Sequence, residues 1–187
     1  MRKLVVFGAA AVLLAGCASI TGTGPVGNAS VPQPAKSTDL DRYLGKWYEL
    51  ARYEAPFQRG CEAVTAEYTK NSDGTVRVLN QCRKGSIDGK LKSAEGNAKI
   101  VANSQGSKLK VSFFGPFFGD YWVLDHAGDY SWSIVGEPSG RYLWVLSRDP
   151  IPVQEKKSAI FARVRELGYD MNLLRYTKHG HVSPAGD

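Results

Sequence analysis

The stretch Gly45-Lys46-Trp47-Tyr48-Glu49-Leu50-Ala51-Arg52-Tyr53 decides how the rest of the chain is read. A glycine two places before a tryptophan, at the head of an alternating run, marks a strand with a tight entry. Strand side chains alternate faces, which puts Trp47, Glu49, Ala51 and Tyr53 on one side. Near the other end, Tyr142-Leu143-Trp144-Val145-Leu146-Ser147-Arg148 is a second strand, closed by Asp149-Pro150. If these are the first and last strands of a closed antiparallel sheet, Trp47 and Arg148 fall at the same end. A guanidinium over an indole face contributes roughly 0.5–2 kcal/mol. With Gly45 at the entry, that pair is expected to plug the floor of a barrel.

Between the two strands, short runs recur with Gly, Asn and Asp turns between them. They predict strands over 46–54, 62–70, 75–83, 93–102, 108–114, 120–126, 130–136 and 141–148, an antiparallel barrel or sandwich. Eight strands closed into a barrel leave room for one small ligand. A helix should follow, with Pro152 near its start, Gly168 as its stop, and Val153, Ile160, Phe161, Val164 and Leu167 toward the sheet. A short strand over 171–178 is expected to return to the sheet edge. The fold class is therefore all-β, an up-and-down barrel with one C-terminal helix packed outside. From Asp39 onward the chain suffices for one core and not two.

The N-terminus fixes the compartment. Arg2-Lys3, the apolar run Leu4 to Leu14 and small residues before a cut read as a secretory signal peptide over 1–16. The run is too short to cross a bilayer, which takes about 20 apolar residues. Leu14-Ala15-Gly16-Cys17 resembles a bacterial lipobox, in which Cys17 is acylated and leads the mature chain. Ala18, rather than Asp, follows it, which by the same resemblance directs the protein to the outer membrane, facing the periplasm. Losing Arg2 and Lys3 takes the formal charge from +6 to +4. No Lys/Arg-rich run remains, so nucleic acid is not implied as a partner, and weak attraction to anionic lipid is the simpler reading.

Residues 17–38 then read as a lipidated cysteine and a flexible linker of Gly, Ser, Thr, Pro and Ala, on which the domain (39–180) could tilt freely; 181–187 read as a tail. Gly22-Thr23-Gly24-Pro25-Val26-Gly27 matches a dinucleotide-binding pattern in form, but no strand precedes it and a proline interrupts it. With Cys17 committed to lipid, Cys61 and Cys82 remain, and in an exported protein two cysteines are expected to pair. They flank the turn Asn71-Ser72-Asp73-Gly74. The simplest register sets Cys61 against residue 84, so pairing needs a bulge or slip; two free buried thiols are the alternative.

Taken together, Gly45-Lys46-Trp47-Tyr48, the distant Ser147-Arg148-Asp149, the strand count and the trailing helix resemble the lipocalin family. The stretches Val111-Ser112-Phe113-Phe114-Gly115-Pro116-Phe117 and Tyr142 to Arg148 resemble its bacterial outer-membrane lipoprotein branch. The family's middle motif is matched only weakly, by Gly128-Asp129-Tyr130. The resemblance implies a barrel that binds small hydrophobic ligands, without a cofactor.

Exposed Lys108, Lys110 and Ser112 turn Leu109, Val111 and Phe113 inward. Alternation from Trp47 and Arg148 adds Glu49, Ala51, Tyr53, Tyr142, Trp144 and Leu146. The family pattern suggests Ala66, Tyr68, Val78, Asn80, Ala94, Ala98, Tyr121 and Val123. Alanines on several inward positions leave volume that a solid core would fill. Such a lining suits a long apolar body with a polar head, as in fatty acids and lysophospholipids. Glu49 either meets that head or is a structural carboxylate bonded to tyrosines near the floor. Phe57, Phe114, Phe117 and Phe118 fall at the open end, where they would meet lipid or a second copy in a homodimer.

Catalytic signals are poor. His126 lies on a strand, and His179 and His181 in the tail offer a metal two ligands without a third. No nucleophile elbow, phosphate loop or metalloprotease helix occurs in the sequence. The expectation is a non-enzymatic, lipid-anchored binding protein. Two alternatives are an envelope scaffold with a closed barrel, and a lipocalin-fold isomerase using a free pocket cysteine.

Overall fold

Antiparallel neighbours run almost without interruption round a single sheet in the computed structural model, which describes residues 24–180. The signal peptide, Cys17 and the tail over 181–187 lie outside the described residues. The strands are β1 (Gly45–Tyr53), β2 (Cys61–Lys70), β3 (Val76–Lys84), β4 (Lys90–Ile100), β5 (Lys108–Phe114), β6 (Phe117–His126), β7 (Trp132–Gly136), β8 (Leu143–Ser147) and β9 (Leu174–Tyr176). Each of the first seven pairs with the next, and β1 closes the barrel against both β8 and β2. The edge of β1 is shared. Gly45 to Tyr48 face β2, whereas Ala51 to Tyr53 face β9, which takes over where β2 leans away. The return strand is shorter than 171–178, because residues 171–173 form a 3-10 turn capped by Asp170.

A one-turn helix, α1 (Leu40–Tyr43), precedes β1, with the Asp39 carboxylate accepting the amides of Asp41 and Arg42. The outer helix, α2 (Gln154–Glu166), buries Ile160, Phe161 and Val164 against Leu50, Leu124, Ile134, Leu143 and Val145 on the outside of the barrel. Each such side chain contributes about 1.5–3 kcal/mol. Val153 stands outside this face and is exposed. Gly168, with φ +87°, ends the helix in the left-handed conformation open to glycine.

Two expectations need correction. The first concerns β1. The register slips between Glu49 and Ala51, so the strand carries one extra residue there. Ala51 now opposes outward-facing Val145, and Arg52 opposes inward-facing Trp144. Ala51 and Tyr53 therefore face α2 rather than the interior. The Tyr53 hydroxyl donates to the Asp170 carbonyl at 2.9 Å.

The second concerns the linker. Residues 24–38 are not a free tether but lie along the outside of the barrel from its open end to its floor. The Gly27 amide donates to the Gly140 carbonyl (2.9 Å), and Ala35 to Leu124 (2.8 Å). At the floor, the Thr38 amide donates to Gln105 (3.0 Å). Asn28 is buried and donates to the Leu167 carbonyl at the end of α2, and Lys36 pairs with Asp125 at 2.9 Å. Composition favoured disorder; a ladder of polar anchors supplied the order.

Cys61 and Cys82 form a disulfide with a Cα–Cα separation of 5.5 Å. Cys61 does stand opposite Lys84, and the required slip occurs between Glu62 and Thr65. Ala63 bends there with φ +47°, and its amide donates to the Lys178 carbonyl.

Candidate functional site

The floor is built from α1 and the two ends of the barrel seam. The Arg148 guanidinium lies 3.8 Å from the ring centroid of Trp47. Its nitrogens also donate to the carbonyls of Lys46 (2.7 Å), Leu44 (2.8 Å), Arg42 and Tyr43 (both 3.1 Å). Three of these, on Arg42, Tyr43 and Leu44, are carbonyls at the helix C-terminus, so one cation both caps α1 and covers the indole. Trp47 is fully buried and its indole N–H donates to Tyr43 at 2.8 Å. Gly45 holds φ +87° at the turn into the strand.

Above this plug the interior narrows to tyrosines. Tyr43 shares hydroxyl hydrogen bonds with Tyr121 (2.9 Å) and Ser133 (3.0 Å), and Tyr68 shares one with Tyr121 (2.8 Å). Burial pushes the Tyr43 hydroxyl up to about 12, and burial together with neighbouring tyrosines pushes Tyr68 and Tyr121 higher still. All three stay neutral donors and acceptors. Tyr43 escaped the alternation argument because it lies on the helical lead-in, although Asp39 four residues earlier is a readable N-cap. Gly128-Asp129-Tyr130 joins the same end. Tyr130 stacks on His126 at 4.3 Å, and Arg42 sits 4.4 Å from its ring centroid.

The wall rises from this floor. The pairs Ala66–Asn80, Tyr68–Val78, Asn80–Ala94, Ala98–Val111, Leu109–Tyr121 and Val123–Val135 stand across from each other on the inner face. Phe113, Trp144 and Leu146 pack into the same interior. Low down, Tyr68, Val78, Ala98 and Val123 are buried. Higher up, Ala66, Asn80, Val111, Phe113 and Trp144 are only partly covered, and Ala94 is exposed although it points inward. In a filled barrel these inward side chains would be buried like those beneath them. The inner face is thus left incompletely covered on the mouth side of an aromatic floor.

Glu49 is committed elsewhere. Its carboxylate pairs with buried Arg52 at 2.7 Å, accepts Gln58 Nε2 at 2.5 Å and also accepts the Thr177 hydroxyl. Of its two readings, the geometry supports the structural one, but at the split between β1 and β2 and without tyrosines. Burial would draw the Arg52 guanidinium down; Glu49 and Glu54 outweigh that and hold it above its usual range. Gln58 completes a relay: its Oε1 accepts the Trp144 indole N–H at 3.0 Å. Trp144 stacks on Tyr142 (5.9 Å) and Tyr142 meets Phe57 (6.1 Å), an aromatic ladder from rim to inner face. Arg52 and Gln58 were hidden from the sequence by the bulge and by the 3-10 turn over Pro56–Gln58.

At the open end Phe57, Phe114, Phe117 and Phe118 are exposed, joined by Ile87 and Leu91. His179 Nε2 donates to the Glu49 carbonyl (2.8 Å) rather than hanging free. Among the described residues, no group of three His, Cys, Asp or Glu side chains is placed to hold a metal. With both thiols joined, the isomerase reading loses its nucleophile.

A model of the lipocalin-like domain matches residues 38–179. The chain is 40% identical to the outer membrane lipoprotein Blc of Vibrio cholerae over 168 residues, 89% of this chain and 93% of that protein. It is 38% identical to the Escherichia coli protein of the same name, covering 92% and 93%. Among solved structures, insecticyanin of the tobacco hornworm Manduca sexta superposes with a TM-score of 0.63 at 19% identity, covering 85% of this chain and 87% of that one.

Proposed function

The chain belongs to the lipocalin family, and from that footing we propose a lipid-anchored carrier that takes up fatty acids, lysophospholipids or similar amphiphiles in the cell envelope. Relatives named outer membrane lipoprotein support the address and the anchor, which Cys17 carries behind Leu14-Ala15-Gly16. The observation that carries the ligand reading is the cup: inward-facing Ala66, Asn80, Val111, Phe113 and Trp144 left incompletely covered above a sealed floor. An acyl tail entering past Phe57 and Tyr142 would lie on that apolar wall. Asn80 is the polar point within reach of a head group. Binding is equilibrium sequestration, driven by removing methylenes from water at about 0.8 kcal/mol each.

Titration with a fluorescent fatty acid tests this. Saturable binding that an unlabelled fatty acid displaces is the expected result, with concurrent quenching of Trp144. An envelope scaffold with a closed barrel would give no saturable signal.

A further inference from the structure

The path of residues 24–38 bears on which end of the barrel meets the bilayer. This strap leaves the floor near Thr38 and Gln105 and climbs to the open end. There Gly27 and Asn28 bind Gly140, in the loop between β7 and β8, and the Gly24 carbonyl accepts the Arg141 guanidinium. Tyr53, the last residue of β1, lies under the same segment, with its hydroxyl aimed at the Gly27 carbonyl. From Gly24 back to Cys17 there are seven residues, which extend at most about 25 Å. The nine residues of β1 span about 30 Å from floor to mouth. An anchor starting at the mouth is too short to lay the floor on the membrane.

We infer that the open end of the barrel docks on the anionic bilayer that holds the anchor, with its phenylalanine rim seated in the headgroup region. The inference rests on the Cys17 anchor proposed above. The surface chemistry at that end agrees. Phe114, Phe117 and Phe57 are 81%, 70% and 66% exposed, and Ile87, Leu91 and Phe118 stand beside them. Exposed Arg59, Arg83, Lys84, Lys90 and Lys92 lie at that end, against exposed Glu54, Asp88 and Asp170. Glu54 is already paired with Arg52 and Arg175. The floor loops carry Asp39, Asp41, Asp73, Asp129 and Asp149 beside Arg42, Lys46 and Lys70, with Asp41 already paired to Lys70. Apolar rings among cations favour an anionic interface. The mouth would then receive its ligand from the lipid layer without passage through water.

The test uses the full acylated protein in vesicles of phosphatidylethanolamine and phosphatidylglycerol. An environment-sensitive fluorophore is attached through Ser86→Cys at the mouth or Ser72→Cys at the floor, and nitroxide lipids serve as quenchers. Quenching of the mouth probe and not of the floor probe is expected. Phe117→Ser with Phe118→Ser should reduce that quenching without changing the anchored fraction. Lys90→Gln and Lys92→Gln should each weaken mouth contact roughly fivefold. Equal quenching at both ends, or none at the mouth, overturns the inference. So does proximity between mouth probes of two copies without lipid quenching, which would mean that a second chain covers the rim. Fatty-acid titration of the same protein keeps the two readings apart. Lost uptake with intact mouth quenching sinks the carrier alone, and the reverse sinks the orientation alone.

Discussion

Arg148 shows how much structure one side chain can organise. Its guanidinium satisfies three carbonyls at the end of α1 and one on β1 and lies against Trp47, so replacing it by methionine keeps bulk but strands those carbonyls. Charged hydrogen bonds of this kind are each worth about 1.5–3 kcal/mol and are not additive. Arg148→Met should therefore cost about 2–4 kcal/mol in urea unfolding. The tyrosines above it give a second residue-scale outcome. Tyr43 is raised from 10 to about 12 by burial, so its neutral form is favoured in the folded state. That stability is present below pH 10 and is lost as pH rises through about 12. In an alkaline titration the tyrosinate absorption of the floor residues should appear above the ordinary phenol range, together with the loss of near-UV circular dichroism. Early ionisation of every tyrosine would refute the sealed floor.

Among the elements, the strap is the one that composition misjudged, and its anchors can be tested. Gly140 holds φ +67°, and a Cβ there would lie 1.8 Å from the Asn28 carbonyl oxygen. Gly140→Ala should release residues 24–28, lower stability by about 1–3 kcal/mol and open a protease-sensitive site in the strap. At the other end, Asp125 is buried between Lys36 and Arg163, both at 2.7–2.9 Å. Burial alone would raise its pKa, but those two cations and the His126 amide hold it below the usual range. Its contribution is present above the unfolded value and fades as pH falls through the folded one, so Asp125→Asn should flatten the acid limb of the stability profile. Strand alternation was legible where the chain ran straight: Trp47, Leu109, Val111, Trp144 and Leu146 face as their spacing implies, and Ala66 and Val78 as the family pattern suggested. It failed one residue past a bulge, at Ala51 and Tyr53, because an extra residue in a strand leaves no signature in hydrophobic period. The strap failed for a related reason. Its order comes from partners such as Leu167, Asp125 and Gly140, far away in sequence, and no local propensity encodes them.

For the whole molecule, the depth of the cup is set by the tyrosine layer, so ligand length should report it. Each pair of methylenes added to a saturated fatty acid should tighten binding on the order of tenfold while the tail still descends along the wall. Once the tail reaches Tyr68 and Tyr121, further methylenes stay in water and affinity should level off. Tyr68→Ala removes a ring from that layer and should move the plateau to longer chains. It also leaves the Tyr121 hydroxyl short of a partner and costs about 3–5 kcal/mol of stability. Urea unfolding of the same variant keeps the two effects apart, because a merely destabilised barrel would weaken every chain length alike. A plateau that stays in place when the floor is lowered would mean that length is gauged elsewhere, and the aromatic ladder from Phe57 to Trp144 would be the place to look.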